Sequence, residues 1–186
     1  SEANIHPLTN SAFAAPPAND TCAGAIPLTL NRVTKGTTVD ANNDYQTPAT
    51  TLCYTGIGQT PTTAPGRDVV FSFVAPQTRK YSFRIVQRSP NDVIRPQNEV
   101  LYVADPDAPD GGCPSASGPV TCLQGANRPQ AATCASSTGL SNNQSEEVDC
   151  IQLDSLKTYF VYFDDGKAAN AGGTMSLEPI ECNSEV

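Results

Sequence analysis

Lys80-Tyr81-Ser82-Phe83-Arg84-Ile85 alternates without a break: Tyr81, Phe83 and Ile85 fall on one face, Lys80, Ser82 and Arg84 on the other. That period of two is the pattern of a half-buried strand. Upstream, Val69, Phe71 and Phe73 make a second apolar face. Downstream, residues 159–163 are apolar on both sides, which suits a central strand covered twice. Strands are expected over residues 26–30, 32–39, 68–74, 80–87, 100–104, 148–153, 158–164 and 174–178. No long segment carries a helical stripe of 3.6 residues, and 16 prolines with 13 glycines punctuate the chain at turn-like intervals. The expected fold is all-β, an antiparallel β-sandwich of jelly-roll type. Residues 42–67 and 105–144 read as loops or loop-borne short strands.

The composition narrows the setting. The chain has 186 residues and a formal net charge of -8. That length fits one domain with a real core. The acidic balance argues against nucleic acid and anionic membranes, both of which attract basic patches. No apolar run approaches a membrane span of about 18 residues. There are 7 cysteines and a single histidine, His6. None of the cysteines forms the short paired spacing of a zinc site or a haem attachment. What remains is a disulfide framework, hence an oxidising, extracellular setting and a processed secreted chain beginning at Ser1. An odd number leaves one thiol free or bonded to another chain. Residues 1–20, rich in Ala, Pro and Asn, form an expected extended tail. The sandwich is expected over 21–182, with a C-terminal tail at 183–186.

Three stretches carry a family resemblance. Pro65-Gly66-Arg67-Asp68-Val69-Val70-Phe71-Ser72-Phe73 with Tyr81-Ser82-Phe83, Glu99-Val100-Leu101-Tyr102-Val103, and Thr158-Tyr159-Phe160-Val161-Tyr162-Phe163-Asp164-Asp165-Gly166 follow one another in order, then Gly173-Thr174-Met175-Ser176-Leu177. Together they resemble the bacterial pre-peptidase C-terminal (PPC-like) domains, over about residues 19 to 180. Asn19-Asp20-Thr21-Cys22-Ala23-Gly24-Ala25 is similar to the opening of cysteine-bearing versions in bacterial surface proteins. The resemblance implies a small secreted sandwich that is not itself catalytic, found beside peptidases and in surface proteins, sometimes binding calcium, matrix or carbohydrate. The spacing in cysteine-bearing relatives implies Cys22–Cys53 and Cys113–Cys122. Elimination then leaves Cys134–Cys150, with Cys182 unpaired or intermolecular.

Candidate sites are few. A Ser-His-Asp or Cys-His site needs a histidine held by a folded scaffold, and His6 sits between Ile5 and Pro7 in the tail. Carboxylates are plentiful enough for a two-carboxylate hydrolase, but there is no Trp to stack a sugar and no acid motif, so a non-enzyme is expected. The loop Asp105-Pro106-Asp107-Ala108-Pro109-Asp110-Gly111-Gly112 is the metal candidate. Asp105, Asp107 and Asp110 offer the hard oxygens that calcium takes, against the simpler reading of a charged turn. Asn19-Asp20-Thr21 and Asn143-Gln144-Ser145 are glycosylation sequons. In the tail, Ile5 and Phe13 fall on one face of an extended strand and Leu8 on the other. Such a segment suits docking along a sheet edge, against the alternatives of a loose linker or a first strand of its own domain. The expected function is a structural or adhesive extracellular module, in its sharpest form a self-assembling surface filament subunit whose tail docks on the neighbouring subunit. The alternative is a monomeric accessory module that binds calcium, carbohydrate or matrix.

Overall fold

The computed structural model describes residues 14–48, 53–56, 58–86, 99–115, 117–128, 146–168 and 172–182. Its strands are β1 (Ile26–Pro27), β2 (Thr34–Thr37), β3 (Tyr45–Gln46), β4 (Val69–Val74), β5 (Arg79–Ile85), β6 (Glu99–Ala104), β7 (Gly118–Pro119), β8 (Cys122–Ala126), β9 (Glu147–Leu153), β10 (Thr158–Asp165) and β11 (Thr174–Glu181). A single 3-10 turn at Cys22–Gly24 precedes them. The fold is all-β with antiparallel sheets, as the alternation predicts. Among the described residues no helix is long and apolar enough to cross a membrane.

A five-stranded sheet runs β1-β4-β10-β6-β8 and a four-stranded sheet β2-β11-β5-β9, while β3 and β7 form a small parallel pair. Only β1, paired with β4, is parallel within the larger sheet. β10 is central, as its two-sided apolar run predicts. The two large sheets face each other across one core. Phe71 and Phe73 of β4, Leu101 and Val103 of β6 and Val161 of β10 meet Tyr81 and Phe83 of β5 and Leu177 of β11. The Phe73 ring sits edge-on to Tyr81 and Phe83, with centroids 5.4 and 5.3 Å apart. Gly36 of β2 marks how close the sheets come, since a Cβ there would lie 2.7 Å from Phe71 Cζ and 3.2 Å from Met175 Sδ.

The solvent side of the four-stranded sheet is tied by charge and sulfur. Arg84 lies opposite Glu178 in the β5–β11 register, and its Nη2 is 3.0 Å from Glu178 Oε2. The β5–β9 register shifts between Tyr81 and Phe83, where Cys150 takes a positive φ of 44°. Ser82 Oγ fills this irregularity by accepting the Cys150 N–H at 2.9 Å and donating to Asp149 Oδ1 at 3.1 Å.

The expected strand at residues 26–30 contracts to two residues. Pro27 has no N–H to donate, so the pairing passes to Leu28, whose N–H donates to Ser72 O at 2.7 Å, and Asn31 then turns away with φ 59°. The strand expected at 32–39 shrinks to four residues. β8 arises inside 105–144, the stretch read as loop or loop-borne short strand.

The disulfide scheme is corrected. The bonds are Cys22–Cys113, Cys53–Cys122 and Cys150–Cys182, with Cα separations of 5.9, 5.4 and 5.7 Å. Neither Cys22–Cys53 nor Cys113–Cys122 forms. Cys150 does not pair with Cys134, and Cys182 is bonded rather than left over. Position on the sheets decides the partners. The loop after β6 brings Cys113 over β10 to meet Cys22, whose Sγ is 3.0 Å from the Tyr162 hydroxyl. Cys53 runs alongside β8, where its carbonyl accepts the Gly125 N–H at 2.7 Å. A Cβ at Gly125 would stand 2.6 Å from Cys53 Sγ, so the glycine makes room for the bridge to Cys122. Cys134 lies outside the described residues.

Candidate functional site

The strands of the five-stranded sheet alternate, so every residue that does not face the sandwich core faces the opposite way. That outward set includes Asp68 just before β4 and Val70 and Ser72 within it, Val100, Tyr102 and Ala104 of β6, and Phe160, Tyr162 and Asp164 of β10. In most sandwiches such a face is wet. Here the loops around Tyr45, Tyr54, Ala64 and Val120 cover it, making a second buried cluster that holds Cys22 and Cys53. Cys22–Cys113 and Cys53–Cys122 fasten these loops down.

The second core is polar at heart. Tyr102 and Tyr162 stack with centroids 5.0 Å apart, and Tyr45 meets Tyr162 edge-on at 5.0 Å. Every phenol in this group has work: Tyr162 donates to Gly112 O at 2.7 Å, Tyr45 accepts the Cys22 N–H at 3.1 Å, and Tyr102 donates to Asp164 Oδ2 at 3.0 Å. Around them lie Asp20, Asp44, Asp68 and Asp164. Asp20 receives both Asn42 donors, its backbone N–H and its Nδ2, each at 2.7 Å. Asp68 Oδ2 accepts the N–H groups of Asp44 at 2.8 Å and Tyr45 at 3.0 Å, whereas the buried Oδ1 has no hydrogen-bond partner among the described residues.

Electrostatically this is an acid cluster with no ion-pair partner among the described residues. Burial pushes Asp68 up to about 8, the backbone hydrogen bonds from Tyr45 and Asp44 pull against that, and the charges of Asp44 and Asp20 add to it. Asp164 is raised well above the carboxylate range by burial and then by Asp68. Asp44 is raised by its own burial and by Asp20, whose carboxyl it touches. The ion pairs among the described residues join Arg79 to Glu181, Arg84 to Glu178, and Lys157 to Asp107 and Asp154, all elsewhere. A cleft of about 370 Å³ reaches the cluster from solvent beside Thr21, Asp44, Tyr45, Ser115 and Ser117.

Oxygen-only donors with excess negative charge and one unsatisfied buried oxygen suit a hard cation or a proton. The carboxylates of Asp20, Asp44 and Asp68 are not drawn tightly together. The tightest three-residue group of candidate ligands among the described residues is Asp149, Cys150 and Cys182, whose two sulfurs are bonded to each other. Calcium at the aspartates would therefore take two or three carboxylates and complete its shell with backbone oxygen and water.

The residues singled out from the sequence are placed differently. Asp105, Asp107 and Asp110 do not converge. Asp107 pairs with Lys157 Nζ at 2.8 Å, Asp105 Oδ1 accepts the Asp107 N–H at 2.9 Å, and Asp110 Oδ1 accepts the Gly112 N–H at 2.9 Å. The charged-turn reading describes them. Asn19 is corrected as a glycan site: its side chain is 2% exposed and its Nδ2 donates to Val70 O at 3.1 Å, while Val70 N–H donates to Asn19 O. It and Asp20, read as the end of a tail, are built into the sheet edge. Asn143, Ile5, Leu8 and Phe13 lie outside the described residues. The aspartates that do cluster are not among the sequence candidates, although the sequence carries a signal for two of them: Asp68 and Asp164 continue the outward alternation of β4 and β10.

No family model matches the chain, and no curated protein and no solved structure matches it either.

Proposed function

We propose that this protein is a non-catalytic extracellular module with a structural or adhesive role, and that calcium held by Asp20, Asp44 and Asp68 locks its loop-covered face. The unpartnered, fully buried Asp68 Oδ1 carries this reading, because such an oxygen costs about 1–3 kcal/mol unless a proton or cation meets it. The resemblance of the strand motifs to PPC-like domains, with their jelly-roll sandwich, supports an extracellular accessory role. So do three disulfides, which persist in oxidising surroundings. A two-carboxylate hydrolase is disfavoured by access, since Asp68 and Asp164 are both 0% exposed and no polymeric substrate reaches them. Calcium addition to protein stripped with EDTA should raise the melting temperature, and Asp68→Asn should abolish most of that gain. An identical melting curve across millimolar calcium would sink the cation part of the proposal.

The filament form of the module has its own support. Asn19 pairs with Val70 and β1 with β4, so the N-terminal segment enters the domain along a sheet edge, where an extended tail joins naturally. In that form Ile5, Leu8 and Phe13 dock on the neighbouring subunit. Sedimentation of the intact chain against one lacking residues 1–16 tests it. Polymers from the intact chain alone support docking, and equal monomers from both refute it.

A further inference from the structure

A second group of oxygens sits at another corner of the sandwich, where the two sheets meet. β6 starts at Glu99, β8 ends at Ala126, and Glu146 stands just before β9. The antiparallel register Leu101↔Ala126 brings Asn127 and Arg128 alongside the start of β6. Glu146 is fastened to the same place, its Oε1 accepting the Arg128 N–H at 2.7 Å and its backbone carbonyl accepting the Ile85 N–H at 3.1 Å. Strands from both sheets thus deliver Glu99, Asn127 and Glu146 to one corner.

Two of these side chains are buried with an oxygen left over. Glu146 is 2% exposed and its Oε2 has no hydrogen-bond partner among the described residues, and Asn127 is 4% exposed with its Oδ1 in the same condition. The Asn127 amide is not free to turn over, because Nδ2 donates to Thr60 O at 2.7 Å and a nitrogen must face that carbonyl. Asn127 therefore presents an acceptor, as Glu146 does. Glu99 feels the charge of Glu146 and of Asp165, and burial together with those charges pushes it up to about 8. Arg128 is the basic group near Glu146, yet no ion pair joins them among the described residues. Two carboxylates and an amide oxygen, all acceptors, meet here; the charge of Arg128 pulls Glu146 down only against the larger effect of burial, and neither Glu146 Oε2 nor Asn127 Oδ1 has a donor among the described residues.

We propose that Glu99, Asn127 Oδ1 and Glu146 Oε2 bind a calcium ion, separate from the Asp68 cluster, that clamps β6 and β8 of one sheet to β9 of the other. Glu99, half-buried, is the side from which the ion enters. The site is independent of the one at Asp68, so either can fail alone.

Calorimetric titration of EDTA-stripped protein with calcium at neutral pH counts the ions. Terbium gives a second count by tyrosine-sensitised emission, because the chain has no Trp and Tyr54 lies close enough to Glu146 to feel its charge. Two ions are expected for the native sequence, one for Asp68→Asn, one for Glu146→Gln, and none for the double variant. Should the Asp68 reading alone be wrong, the native sequence binds one ion and Glu146→Gln none. Glu99→Gln, which keeps Glu146 in place, should weaken the same site at least tenfold and guards against a misfolded Glu146→Gln. Two outcomes overturn the proposal. In one, Glu146→Gln and Glu99→Gln bind as many ions as the native chain, with unchanged affinity. In the other, the native chain binds no ion at this corner and Glu146→Gln melts in EDTA as the native sequence does, which would show that a proton shared between Glu146 and Asn127 already satisfies both oxygens.

Discussion

The two faces of the five-stranded sheet are built from the same strands and buried to the same degree, yet they are held by different forces. The face toward β5 and β11 is hydrocarbon: Val69, Phe71, Phe73, Leu101, Val103, Val161 and Phe163 against Tyr81, Phe83 and Leu177. The opposite face is phenol, carboxylate and sulfur under loops that have almost no strand of their own. Area burial and close packing suffice for the first. The second buries charged and polar groups, which cost free energy unless each is paired. Its cohesion comes from cross-links, from the hydrogen-bonded tyrosines Tyr45, Tyr54, Tyr102 and Tyr162, and from whatever neutralises the aspartates. One strand can serve two cores because its side chains alternate, but only the apolar core forms without help.

The sharpest break of that comparison is to unfasten the outer layer. Replacing Cys22 and Cys113 together by Ser frees a separation of 91 residues, which chain-entropy reasoning values at about 4–5 kcal/mol. Replacing Cys150 and Cys182, separated by 32, should cost about 3.5–4 kcal/mol. Denaturant unfolding measures both. The added sign of a separate outer layer is that loss of Cys22–Cys113 exposes residues 105–115 to protease before the sandwich unfolds. Simultaneous cleavage and global unfolding would mean that the faces are a single cooperative core.

The inner face is tested by Phe71→Ala, a cavity in hydrocarbon that should cost about 3–5 kcal/mol with no dependence on pH or calcium. On the outer face Tyr162→Phe removes one oxygen and no packing. It strands the Gly112 carbonyl and should cost about 1–3 kcal/mol, mostly as faster opening of the 105–113 loop in hydrogen exchange. An equal, calcium-sensitive loss at Phe71 would erase the distinction.

The inner face was legible in the sequence and the outer face mostly was not. Tyr81, Phe83 and Ile85 announce their side by period alone, and β10 announces its central place by being apolar on both. Cys122–Ala126 gave no such signal, because Gly125 is small to admit the Cys53 bridge and Leu123 is exposed at 39%. The resemblance implies Cys22–Cys53 and Cys113–Cys122, whereas loops crossing over the sheet bring Cys113 to Cys22 and Cys122 to Cys53. Asn19 passed for a surface sequon because its burial depends on Val70, far away in sequence. The acidic loop at 105–110 looked like a cation site because its carboxylates are close in sequence, whereas Asp20, Asp44, Asp68 and Asp164 become neighbours only when four separate segments fold over one sheet.

The response to pH in EDTA isolates charge from packing. Asp68 in the folded chain is raised to about 8 from 3.8. Between those values the folded state holds a proton that the unfolded state has released, so the unfolded state binds fewer and stability falls as pH rises. Glu99, raised to about 8, and Glu146, raised to about 7, act in the same direction. The melting temperature should therefore decline from pH 5 to pH 8, by about 2–4 °C for each kcal/mol lost. Calcium should reverse the slope, because it binds the ionised carboxylates and gains as they lose their protons. Asp68→Asn should make the decline shallower by its own share, Glu99 and Glu146 keeping theirs, while leaving the apolar face untouched, and Phe71→Ala should lower the whole curve without changing its slope. A melting temperature that climbs between pH 5 and pH 8 without calcium would show that the outer carboxylates are already compensated, and the contrast between the two faces would then rest on the disulfides alone.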